Sequence, residues 1–90
     1  MSQEREPWLW AIRDEDGQLV AYGEQQTNLH MAPYDIAAER MGVYAWPLIQ
    51  AGRAGELRRL VCQVRRRGDT GRPAECPAST WVLRASKSRQ

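Results

Sequence analysis

The chain contains no Phe, a single His, a single Lys and only two Cys. Each shortage excludes something. Without Phe, four Trp and three Tyr are the large residues left to fill a core. A structural zinc site needs a full tetrahedral set of Cys and His ligands, which Cys62, Cys76 and His30 do not supply. No hydrophobic run approaches the roughly 20 apolar residues of a membrane span. The opening MSQEREPW has neither the basic start nor the apolar run of a secretory leader. These absences point to a cytoplasmic protein without a membrane partner. In a reducing cytoplasm the two cysteines are expected as thiols, although two strands of a hairpin could bring them together. There is no Gly-rich phosphate loop and no nucleophile–base pair, so the sequence predicts neither an enzyme nor a bound cofactor or metal.

What is present is a strong division of charge. Up to Gly52 three Arg face eight Asp and Glu, a net of −5, whereas from Arg53 onward nine Arg and one Lys face three acids, a net of +7. The overall +2 conceals this. Such a split is the usual sequence footprint of a surface that meets a polyanion. Arg58, Arg59, Arg65, Arg66 and Arg67 lie in or beside an acid-free span from Leu57 to Gly68, and Arg72 follows it.

At 90 residues and 42% apolar content, the chain suits one small domain. WLWAIR alternates Trp8, Trp10 and Ile12 with Leu9, Ala11 and Arg13, as a half-buried strand requires. QLVAYG mirrors it, with Val20 and Tyr22 on one face. Asp14-Glu15-Asp16-Gly17 between them is the chemistry of a tight turn closed by a Gly bulge. That placement explains the acidic knot without a metal ion, because a calcium loop needs further oxygen ligands. EQQTNLHM reads as a connection, and His30 within it as a surface residue. Pro33 suits the first turn of a helix, with Asp35 near its positive end. Gly42 fits a helix stop after Met41, and a second short helix is expected over 45–51, with Pro47 in its first turn. Gly52 and Gly55 break the chain. Beyond them the spacing predicts helix through Leu60, a strand over 61–66, a long loop, and a strand over 80–84. The expected fold is a small α+β domain over 8–85: an N-terminal β-hairpin, two to three short helices and a C-terminal strand–loop–strand. Residues 1–7 and 86–90 are expected to be disordered.

YDIAAERMGVYAWPLIQA has a small residue, Ala38, where two helices would cross. It also has Gly42 at the turn, and Ala37, Met41, Val43 and Leu48 placed to face inward. On these residues segment 34–51 resembles the helix-turn-helix family, and 61–85 looks like the wing of a winged-helix domain. The resemblance implies a DNA-binding regulator in which the second helix enters the major groove. It would present Tyr44, Ala45, Trp46 and Gln50 to base edges, with Arg65, Arg66, Arg67 and Arg72 on phosphates from the wing. The pattern departs from the family at Pro47, at the small Ala51 and in the hairpin that replaces a leading helix.

Duplex DNA or another nucleic acid is therefore the leading expected partner. The alternative is a protein-interaction module of the kind phages and plasmids encode, which occludes a host complex through the acidic half or the Trp hairpin. Either reading allows a homodimer.

Overall fold

The computed structural model describes residues 7–26 and 32–88. Except for Pro7, the start expected to be disordered lies outside them, as do His30 with most of its connection and the last two residues.

The first hairpin is made by its turn. One carboxylate oxygen of Asp14 accepts the N–H groups of Asp16 and Gln18, each at 2.9 Å, and Gly17 takes φ +80°. Strands β1 (Trp8–Arg13) and β2 (Leu19–Gln25) then pair antiparallel, with an irregularity between Ile12 and Arg13 that absorbs the extra residue.

Pro33 opens helix α1 (Pro33–Gln50), and the Asp35 carboxylate accepts the Ala32 N–H at 3.3 Å. The two short helices expected on either side of Gly42 are one continuous helix of 18 residues. Gly42 is buried inside it, and its missing side chain serves a neighbour instead of a turn. A Cβ there would lie 2.6 Å from the ring of Trp81. Pro47 falls in the last turns of α1, where it removes one helical bond to the carbonyl of Val43. Val43 is 61% exposed, so that loss falls on the solvent side. The helix stops at Gly52, as expected: φ is +76°, and the N–H groups of Gly52 and Arg53 return to the Ile49 and Leu48 carbonyls at 3.1 and 2.8 Å.

A single 3-10 turn (Ala54–Leu57) replaces the helix expected through Leu60. Strand β3 (Val61–Arg66) has the predicted bounds. Its partner β4 is Ala74–Pro77, and the segment expected as the second strand belongs to helix α2 (Ser79–Ser88). The β-branched and aromatic residues of TWVLRA suggest a strand by propensity, but propensity yields to packing. Ala78 starts the helix by accepting the N–H groups of Trp81 and Val82 at 3.0 and 3.2 Å, and Trp81, Val82 and Ala85 then share a face against α1. The helix runs through Ser88, into the segment expected as a disordered tail.

The result is an α+β domain: an antiparallel sheet in the order β2-β1-β3-β4 with both helices on one face. Trp8, Trp10 and Ile12 point to the helices, as the alternation in WLWAIR predicted. The rings do not fill the core. Its largest fully buried side chains are Ile12, Ile36, Met41, Leu57, Val64, Cys62 and Cys76, while Trp8, Trp10 and Trp81 pack around them partly buried. Tyr22, expected to share an inward face with Val20, pairs with Ala11 and points away from the helices, 72% exposed. Ala21 and Gly23 take the inward positions of β2, and Gly23 is bare because the Trp10 ring lies over it.

Candidate nucleic-acid interface

Antiparallel pairing mixes the charges that the sequence keeps apart. β3, from the basic half, lies beside β1 of the acidic half. Arg59 meets Glu15 of the hairpin turn at 2.6 Å, and Arg67 meets Glu24 of β2 at 3.4 Å. Arg53 grips Glu56 with two bonds, of 2.6 and 2.8 Å, and that hydrogen bonding holds the Glu56 carboxyl below the usual carboxylate range. All of these pairs are well exposed, so solvent screens them and each adds little to stability. Their consequence is the removal of free positive charge from parts of the surface.

The arginines read as one basic run form two groups. Arg58 and Arg59 flank the acidic hairpin turn, next to Asp14 and Glu15. Arg65, Arg66 and Arg67 lie at the far end of β3, about 16 Å away at the usual rise of a strand. Arg72 joins the second group, because its loop leads into β4 at Ala74, opposite Val64. That loop is shaped by Gly68 at φ +81° and by the Asp69 carboxylate, which accepts the Gly71 N–H at 2.9 Å. The Arg66 guanidinium stacks on Trp8, 4.4 Å from the ring centroid. Stacking fixes the guanidinium plane while leaving its N–H edge able to bond an anion. Among the described residues, Arg65 and Arg72 have no ion-pair partner.

The residues expected on a second, recognition helix lie within the single helix α1. Ala45 is fully buried against the sheet, and Tyr44 is half-buried beside Arg58 and Asp14. Trp46 and Gln50 are exposed, but in the C-terminal half of α1, whereas Arg40 in the N-terminal half reaches the Arg66 end by bonding Gln25. Trp46 instead lines an apolar groove of about 430 Å³ between the helices with Val43 and Trp81.

No known protein family, characterised protein or solved structure matches the chain.

The site must therefore be understood from its own residues. Among the described residues no three His, Cys, Asp or Glu side chains come together to hold a metal ion, and no helix is long and apolar enough to cross a membrane. Cys62 and Cys76 are cross-strand partners, both fully buried and both free thiols. Burial, helped by the neighbouring Cys76, pushes the Cys62 thiol up to about 12, so it is not a reactive thiolate.

Sequence reasoning singled out Arg65 but did not see the face of the sheet that the helices leave uncovered. Arg13, Tyr22, Gln63 and Arg65 all lie on it. The alternation in WLWAIR placed Leu9, Ala11 and Arg13 there, but only strand pairing shows which residues stand beside them.

Proposed function

We propose that this protein binds nucleic acid, taking phosphates at the end of the sheet where β3 enters the β3–β4 loop. The observation that carries this reading is the gathering of Arg65, Arg66, Arg67 and Arg72 there, of which Arg67 alone meets an acid among the described residues, while Arg53 and Arg59 elsewhere are each held by one. Guanidinium groups match phosphate oxygens in pairs, and each phosphate neutralised releases counterions. A base-reading helix forms no part of this proposal, because α1 has no turn to present one. Titration of fluorescent oligonucleotides at several salt concentrations tests it. Binding should weaken steeply with salt, with a slope of log K on log salt of about −0.7 to −0.9 per phosphate contact. No binding to any nucleic acid at low salt refutes it.

A second reading, a protein-interaction module, is favoured by one specific observation. Val43 and Trp46 are 61% and 42% exposed on the helical layer and line the groove beside Trp81. Exposed apolar groups clustered this way mark contact surfaces. Affinity capture with and without nuclease separates the two readings: a partner retained after nuclease treatment and lost on Trp46→Ala supports the protein contact.

A further inference from the structure

The uncovered face of the sheet is ordered in rows. Glu24, Leu9 and Arg65 form one, Tyr22, Ala11, Gln63 and Glu75 the next, and Arg13 with Val61 and Pro77 a third. Ala11 is the smallest of these at the centre of the sheet. Above it and Leu9 the surface sinks into two shallow grooves, of about 380 Å³ toward Gln63 and about 350 Å³ toward Tyr22. Arg13 and Arg65 stand at opposite ends of the first groove, about 13 Å apart along the strands. The two acids on this face are both engaged: Glu24 by Arg67 at 3.4 Å, and Glu75 by the Gln63 amide N–H at 2.8 Å. That bond leaves the Gln63 carbonyl oxygen as an acceptor without a partner among the described residues.

We propose that this face is a platform for single-stranded nucleic acid. Tyr22 stacks an unpaired base, Gln63 accepts a hydrogen bond from a base edge, and Arg13 and Arg65 take phosphates at either end. The inference rests on the nucleic-acid reading above and specifies its ligand. Strand geometry is decided by Tyr22. Tyr22 is 72% exposed, and a duplex, whose base faces are already stacked on one another, offers its ring nothing. Unpaired bases reward an aromatic platform by about 1–3 kcal/mol each. Arg65 also belongs to the basic end of β3, so a strand lying across the face continues into Arg67 and Arg72.

The test is fluorescence anisotropy of the full chain at low salt with three labelled probes of equal length: a thymidine oligomer, a uridine oligomer and a mixed-sequence duplex. Single strands are expected to bind at least tenfold more tightly than the duplex. Tyr22→Ala should weaken single-strand binding about tenfold or more, Tyr22→Phe should retain it, and duplex binding should respond to neither. The thymidine and uridine arms show whether DNA or RNA is the better ligand. Because Tyr22 is mostly exposed, an unchanged melting temperature for Tyr22→Ala confirms that folding is intact. Duplex bound as tightly as single strand, or Tyr22→Ala without effect, overturns this inference while leaving the nucleic-acid reading standing. Failure of all three probes to bind removes both.

Discussion

Trp81 of α2 rests directly on the bare backbone of Gly42 in α1, with its indole N–H donating to the Ala38 carbonyl at 3.0 Å. The contact joins the two helices, and Arg84 covers the outer side of the same ring at 4.8 Å from its centroid.

Gly42→Ala sets two effects against each other. Alanine in a helix interior gains about 1 kcal/mol over glycine. The new Cβ, 2.6 Å from the Trp81 ring, forces a rigid aromatic group to move, and such overpacking costs about 1–3 kcal/mol. The expected net result is a loss of up to about 2 kcal/mol, read by urea denaturation. In the double variant with Trp81→Ala the sign should reverse for the Gly42 change, because only the propensity gain remains.

Alkaline pH should destabilise the domain through Cys62. Its thiol titrates near 9.0 when exposed and is pushed up to about 12 in the folded protein, so unfolding releases a proton between those values. Stability from this group is full below about pH 9 and falls as pH rises toward 12, by up to about 1.4 kcal/mol per pH unit. Cys62→Ala should flatten the dependence of the denaturation midpoint on pH over that window. Intact-mass spectrometry should find both cysteines reduced, and a mass about 2 Da lower would show a cross-strand disulfide instead.

Arg59 is the only non-glycine residue at positive φ among those described, at 64°, and it holds Glu15. The left-handed backbone costs a side-chain-bearing residue about 1–2 kcal/mol, whereas an exposed ion pair contributes at most about 1. Arg59→Gly should therefore match or exceed the native protein in melting temperature, and Arg59→Ala should fall below both. A drop for glycine as large as for alanine would mean that the ion pair outweighs the backbone.

The two arginine groups should behave differently in binding. Replacing Arg65 and Arg72 with Gln should flatten the salt dependence of duplex or single-strand binding by up to about 2 in slope. The same change at Arg58 and Arg59, which flank acids, should leave the slope almost unchanged. Trp46→Ala and Gln50→Ala should not alter preference between sequences, in contrast to what a recognition helix would require.

The local chemistry of the chain was enough for the first hairpin, whose turn needs only Asp14 and Gly17. It was also enough for the start of α1 at Pro33, its end before Gly52, the inward face of β1 and the bounds of β3. All of these depend on residues within a turn or two of one another. Tertiary structure decided the rest, because those choices belong to partners distant in sequence. Gly42 looks like a stop until Trp81, 39 positions later, is found against it. TWVLRA has strand propensity but becomes helix because α1 offers an apolar surface for Trp81, Val82 and Ala85. The division of charge along the sequence was real, yet β3 pairs with β1, and Coulomb attraction between groups 43 or 44 positions apart cancels part of it. What remains unpaired, Arg65 and Arg72 at one end of an uncovered sheet, is visible only once the strands are in register.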